Sequence, residues 1–359
     1  MRRIISSPGR YIQGKGELAN LSADYKELGT NGAYVMVDKF ILETYGDRIK
    51  KGFEDNQVPY TIEAFGGECS DTEINRHKDK LGASDVIIGI GGGKTLDTSK
   101  AVAHHANLPV IIVPTTASTD APCSRLTVVY TEDGVFDHFL HLRRNPDMVV
   151  MDTEVIANAP ARFLAAGIGD ALATYYEAVV CNASNSVTTG GGHVTNAAMA
   201  LATVCRDILL ENGHKAMVAV ENKQCTKAVE DVIEANTYLS GVGFESGGLA
   251  AIHAIHDGLT ALHGCHHMLH GEKVAFSIIA QLVLENTDED ELMMIIDFLK
   301  QVGLPTCFKD LGLENVTDEE LMTVAKISCE EGETIYNFPF PVTAEDVFSA
   351  LKVADQLGK

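Results

Sequence analysis

Cationic side chains are scarce in this chain: 28 Lys and Arg stand against 50 Asp and Glu, a formal net charge of −22 over 359 residues. That excess repels phosphate backbones and anionic membrane surfaces, which excludes nucleic acid and lipid as partners. Cysteine pairing is missing as well. The eight cysteines are scattered without a C-x-x-C pair, which excludes a zinc knuckle or a disulfide framework and suits reduced thiols in a large core. No apolar stretch is long enough to cross a bilayer, and "MRRIISSPGRYIQG" lacks the apolar segment of a secretory signal. The expected location is the cytoplasm. Internal repeats and low-complexity linkers are also absent.

What is present is ordinary for a globular protein: 45% hydrophobic and 22% charged residues, at a length that suggests about two domains. The texture changes once, near Pro160. Before it come the β-branched runs "AYVMV" (33–37), "DVIIGI" (85–90), "PVIIVP" (109–114), "RLTVVY" (125–130) and "MVVMD" (148–152), several separated by helix-like polar stretches. That alternation predicts an α/β domain with a parallel sheet over residues 1–159. After Pro160, apolar residues recur at three- and four-residue intervals, as in "AVEDVIEANTYL", "LAAIHAIHDGLTAL" and "VAFSIIAQLVL". An all-helical domain over 160–359 follows. The acidic run "TDEDEL" (287–292) reads as a solvated surface or helix start rather than a metal site.

"GIGGGKTLDTSK" follows the second of these runs. Its spacing rejects two phosphate loops, because the nucleotide-triphosphate loop needs glycine at Ile88 and the G-x-G-x-x-G fingerprint needs it at Lys94. The physical features of such loops persist: a strand, glycines that let backbone N–H groups approach an anion, and a helix expected to begin near Thr95. Phosphate binding is the expectation, and "PTTASTDAPCS" (114–124) is a second polar loop at a strand end. In the helical half, Asp170 lies between Gly167, Gly169, Ala173 and Thr174, small neighbours expected to leave room for something to approach. Six of the thirteen histidines fall within "GGLAAIHAIHDGLTALHGCHHMLHGEKVAF". A carboxylate with two imidazoles makes an open site for Zn²⁺ or Fe²⁺; spacing alone leaves open which two.

"GIGGGKTLDTSKA", "PTTASTDAPCS", "AAGIGDALATYYEA", "GVGFESGGLAAIHAIH" and "HHMLHGEKVAF" together resemble the glycerol dehydrogenases, members of the iron-containing alcohol dehydrogenase superfamily. The resemblance runs from "SPGRYIQG" to "ALKVADQ". It implies a dehydroquinate synthase-like architecture and NAD-dependent oxidation of glycerol to dihydroxyacetone, or the reverse, through a zinc-stabilised alkoxide and hydride transfer. Other vicinal diols such as 1,2-propanediol would also be substrates. It further implies one Zn²⁺ per subunit and a homo-oligomer, typically an octamer.

Carried onto this sequence, the resemblance assigns the metal to Asp170, His253 and His270. It points to Asp38 for the adenosine ribose and to Gly92, Gly93 and Lys94 for the pyrophosphate. Asp97, Thr115, Ser118, Ser124, Leu126 and Tyr130 would lie along the dinucleotide. Asp120 is placed near the substrate and Phe244 as a pocket wall. No residue is marked as the general base: water or the ribose would take the proton, with His256 a second candidate. Many superfamily members carry histidine four residues after the metal aspartate; this chain has Thr174, as the glycerol dehydrogenase branch does, which favours zinc over iron. A carboxylate at Asp38 would repel a 2′-phosphate and so favour NAD over NADP. Two alternatives share the architecture: a dehydrogenase of a glycerol phosphate or hydroxy acid, should Arg143 and Arg144 face the cleft, and a 3-dehydroquinate synthase-like lyase.

Overall fold

The computed structural model describes residues 2–359. In its first half, β1 (Arg10–Gly14), β2 (Ala33–Val37), β3 (Tyr60–Ala64), β4 (Val86–Gly91), β5 (Val110–Pro114) and β8 (Met148–Asp152) form a parallel sheet in the order β1-β8-β5-β4-β2-β3. Strands β2, β4, β5 and β8 are buried along their whole length, as β-branched runs covered on both faces must be. Their side chains alternate between two cores: Tyr34, Met36, Ile87 and Ile112 enter one, Val35, Val37, Ile88 and Ile111 the other. The edge strands β1 and β3 are only half buried and carry no such run.

One strand departs from the expectation. "RLTVVY" supplies β6 (Leu126–Tyr130), which leaves the parallel sheet and pairs antiparallel with β7 (Phe136–His141). Its burial alternates residue by residue, the mark of a strand covered on one face.

The chain runs from β2 outward to β3, then returns across β2 to lay down β4, β5 and β8. Strand order therefore reverses between β2 and β4, and a crevice opens beyond their carboxyl ends, where ligands of such sheets bind. Asp38 follows β2 and the glycines follow β4 at that point. The helix after β4 spans Gly93–Ala106, starting two residues before Thr95. Gly91 sets the tight turn: a Cβ there would lie 2.9 Å from that of Thr95 and 3.0 Å from that of Asp38.

The second half is helical. Helices Ala161–Ser184, Asn196–Glu221, Lys227–Glu234, Ser240–Gly247, Ala251–Thr260, His270–Leu284, Glu289–Gln301, Asp318–Ile327 and Ala344–Gly358 follow in order. The expected helix over "AVEDVIEANTYL" is interrupted by a π turn, Ala235–Leu239. "TDEDEL" opens a helix whose cap Asp288 accepts from the Asp290 N–H. Among the described residues, no helix is long and apolar enough to cross a membrane.

Helix Ala161–Ser184 is buried on most of its faces and crosses His270–Leu284 at very short range. The glycines beside Asp170 admit neighbouring backbone rather than leaving room for a ligand: Gly169 serves that crossing, and Gly167 the carbonyl of Ala117. A Cβ on Gly169 would sit 2.4 Å from the Gly271 carbonyl oxygen, and one on Gly271 would sit 1.8 Å from that of Ala166. The crossing sets Asp170 against His270, each one residue from a contact glycine. Gly271→Ala is therefore expected to cost roughly 3 kcal/mol or more, because two backbones must separate. Thermal unfolding should show a lower midpoint, and the residual folded protein should hold divalent metal more weakly than wild type.

Candidate functional site

Four elements meet at Asp170, which is 1% exposed. Its Oδ2 accepts the backbone N–H of Asp120, on the loop after β5, at 3.1 Å. Its Oδ1 lies 3.0 Å from His270 Nε2 and 3.7 Å from His253 Nε2. Ligand atoms of the three residues fall within 4.8 Å of one another, a donor set that fits a divalent cation. The opposite ring nitrogens are already committed: His253 Nδ1 to Glu177 Oε2 at 2.6 Å, and His270 Nδ1 to His256 Nε2 at 3.0 Å. Each ring is thus oriented from behind while one nitrogen faces the shared point.

The electrostatics follow from this packing. Burial pushes the Asp170 carboxyl upward, but His270 and His253 outweigh it and hold that group well below the usual carboxylate range. Burial lowers His253 as well, yet Glu177 and Asp170 override it and keep the imidazole well above its ordinary value. Burial, and then the Asp170 charge, push the Asp120 carboxyl well up. His256 is pushed down to about 3 by burial and by His270. Its Nδ1 faces Asp257 at 3.0 Å, so His256 joins His270 to an exposed carboxylate.

Glu177 was invisible to motif spacing, although it stands seven residues after Asp170 on the same helical face. Fully buried, it accepts the Ala250 and His253 N–H groups through Oε1 and the His253 ring through Oε2. Ser240 was equally unmarked. It donates to Asp120 Oδ2 at 2.6 Å and meets the Thr174 hydroxyl at 2.8 Å. Asn236, in the π turn, donates to the Ala117 and Leu164 carbonyls and ties the Asp120 loop to helix Ala161–Ser184. π turns recur at such sites. His263, His266 and His267 are exposed and stand outside the cluster.

On the sheet side, Cβ atoms built on Gly92 and Gly93 would meet nothing within 4 Å, so the first turn of helix Gly93–Ala106 presents an open cradle of N–H groups. Asp38 caps the helix after β2, its Oδ1 accepting the Phe40 and Ile41 N–H groups. The Lys94 ammonium pairs with Glu68 at 2.5 Å and lies over the Tyr130 ring. Asp97 pairs with the buried Lys100 and accepts the Val128 N–H. Lys100 in turn donates to the Ala121 and Leu126 carbonyls, holding the polar loop and β6 against helix Gly93–Ala106. Thr115 donates its N–H to Gly91, Ser118 faces Thr116, and Ser124 bridges Ala121 and Leu126. Leu126 and Tyr130 share the half-exposed face of β6, and Phe244 lines a small cavity with Ser124 and Leu126.

Arg143 and Arg144 do not face this cleft. They precede β8 and reach Asn107 and Leu108, at the amino ends of the parallel strands. The cleft lies beyond the carboxyl ends, so the feature that would have signalled an anionic substrate sits on the opposite edge of the sheet.

Residues 8–153 match the family described as iron-containing alcohol dehydrogenase. The chain is 51% identical to the glycerol dehydrogenase of Escherichia coli O6:H1 across 100% of its own length and 98% of that enzyme. It is 49% identical to the glycerol dehydrogenase of Thermotoga maritima, covering 98% of this chain and 96% of the relative. The crystal structure of glycerol dehydrogenase from Schizosaccharomyces pombe superimposes with a TM-score of 0.95 at 39% identity, over 99% of this chain and 91% of that one.

Glu177 offers the sharpest test of how the histidines are held. Glu177→Gln preserves the shape but removes the charge behind His253, and it is expected to weaken Zn²⁺ binding by about 10- to 100-fold. Competition with a chromogenic chelator measures this directly; unchanged affinity would show that Glu177 does not support the ion.

Proposed function

The chain belongs to the glycerol dehydrogenases of the iron-containing alcohol dehydrogenase family, and from that premise we propose that it oxidises glycerol to dihydroxyacetone with NAD, and runs the reverse reduction, at the cleft around Asp170. The observation that carries the assignment of residues is the convergence of Asp170 Oδ1, His253 Nε2 and His270 Nε2, each braced from behind. A Zn²⁺ ion held by these three supplies Lewis acidity toward the substrate hydroxyl when bound.

Everything else falls to the chain itself. Gly92, Gly93 and the helix start receive the pyrophosphate of NAD, while Asp38, beside Gly91, accepts the ribose hydroxyls and disfavours a 2′-phosphate. Asp97 and Lys100 hold β6, so that Leu126 and Tyr130 line the dinucleotide. Asp120, fixed by Ser240 and joined to Asp170 through its N–H, is placed to bond a second hydroxyl of the substrate. That contact favours vicinal diols, 1,2-propanediol among them, over simple alcohols. His256 orients His270 and links it to Asp257 at the surface. In this reading residues 1–159 carry the nucleotide and 160–359 the metal and substrate, in a cytoplasmic homo-oligomer of octameric form.

Zinc-loaded protein should produce NADH from glycerol and 1,2-propanediol faster than from ethanol, respond weakly to NADP, and lose activity on chelation. Silence with both diols in protein that holds zinc and NAD would refute the substrate assignment. His270→Ala should lose zinc and turnover while fluorescence titration still detects NADH binding; full turnover in the metal-depleted variant would remove the metal from the reaction.

A further inference from the structure

The arginines excluded from the cleft line an open surface pocket of their own. A pocket of ≈ 680 Å³ at the amino edge of the sheet is lined by Arg10, Arg125, Arg143 and Arg144, four of the ten arginines in a chain of net charge −22. Its volume is that of a small-molecule site, and Leu28, Pro146 and Met148 give it an apolar wall. Two carboxylates share the lining. Glu27 pairs with Arg10, and Asp147, which also accepts the Val110 N–H, lies 3.5 Å from Arg144. Glu245 takes Arg125 from behind at 3.1 Å. Arg143 has no carboxylate within ion-pair distance among the described residues; its guanidinium makes one 3.4 Å contact, to Asn107. Positive charge therefore exceeds negative on the lining, against the sign of the whole molecule.

We propose that this pocket binds the phosphate dianion of a small phosphate monoester and regulates NAD binding. Guanidinium groups match phosphate oxygens in pairs, and the apolar wall accommodates the organic remainder. The pocket is tied to the loop that precedes β6. Asn145, on its lining, donates to the Cys123 carbonyl and to Glu245, and Glu245 holds Arg125. Cys123 ends the short turn that Asp120 begins, and Ser124 follows. A phosphate that draws Arg125 away from Glu245 slackens this tie, so occupancy raises KM for NAD. The regulatory half rests on the dinucleotide assignment of Ser124 and Leu126, whereas binding is independent of it.

Calorimetry on NAD-saturated protein, with the glycine loop filled, separates the two. Glycerol 3-phosphate is the probe and inorganic phosphate its control. The expected result is one site per chain, tighter for the monoester, weakened about tenfold in Arg143→Ala and substantially restored in Arg143→Lys. Arg143 has no carboxylate to strand, so the variant should fold and keep its turnover; an unchanged thermal midpoint verifies this. No saturable binding, equal affinity in Arg143→Ala, or no preference for the monoester would each overturn the site. In kinetics, the monoester should raise KM for NAD in wild type but not in Arg143→Ala. A constant KM, or an equal rise in the variant, overturns the regulatory half, while loss of dehydrogenase activity altogether would leave the calorimetric result standing.

Discussion

The structure around the cleft depends on one buried charge, the carboxylate of Asp170. A group that stays ionised away from water must be paired and hydrogen-bonded; without such partners it takes up a proton instead. Asp170 meets that demand with groups from different parts of the chain: the N–H of Asp120 from the sheet side, and the rings of His253 and His270 from two further helices. Glu177, two turns along the same helix, is a second buried carboxylate and takes the back of His253. A divalent cation takes its imidazole ligands in the neutral form, and beside Asp170 and Glu177 it would offset two carboxylate charges. Metal affinity and packing are thus the same problem here.

Such a site tolerates little play, and the backbone supplies the rigidity. Gly169 and Gly271 bring two helices close enough for carbonyl oxygens to occupy the space of a methyl group, while Gly167 does the same for the Ala117 carbonyl. The loop carrying Asp120 is therefore seated on the helix carrying Asp170. Asn236 closes the join with bonds to both sides. A π turn places Asn236 and Ser240 where a regular helix would have carried their side chains elsewhere, and Ser240 reaches Asp120. On the opposite wall, Lys100 and Asp97 hold β6 to helix Gly93–Ala106.

How much of this was legible depends on whether the signal was local. Strands β2, β4, β5 and β8 announce themselves because complete burial demands continuous apolar runs; β1 and β3, at the sheet edges, have no such need and leave no such run. β6 carries β-branched residues for a different reason, being covered on one face, so composition identified a strand but not its sheet. The glycines near Asp170 were visible, yet their purpose was not: emptiness in a sequence looks the same whether a ligand or a backbone fills it. Likewise the residue types for a metal site stood out, but His253 and His256 share a helical face, and only the helix crossing decides which ring reaches Asp170. Glu177 lay within a quoted motif and carried no mark, because nothing in its spacing tells which ring nitrogen it will hold.

Thr174 shows how one side chain redirects a site. It stands one turn from Asp170, where an imidazole would add a further donor. In this chain the residue is enclosed by Gly243, where a Cβ would lie 2.6 Å from Thr174 Cγ2, and its hydroxyl meets Ser240. The position has been removed from the ligand set and given to the chain of hydroxyls that ends on Asp120. Two consequences follow together. The donor set stays at three, which would leave a bound zinc ion a position for an oxygen from outside. Asp120 gains a partner that fixes its carboxylate, while its backbone N–H bonds Asp170. An imidazole at this position would add a donor beside Asp170 and break the contact with Ser240, so the three-residue donor set and the hydroxyl chain to Asp120 depend on the same side chain.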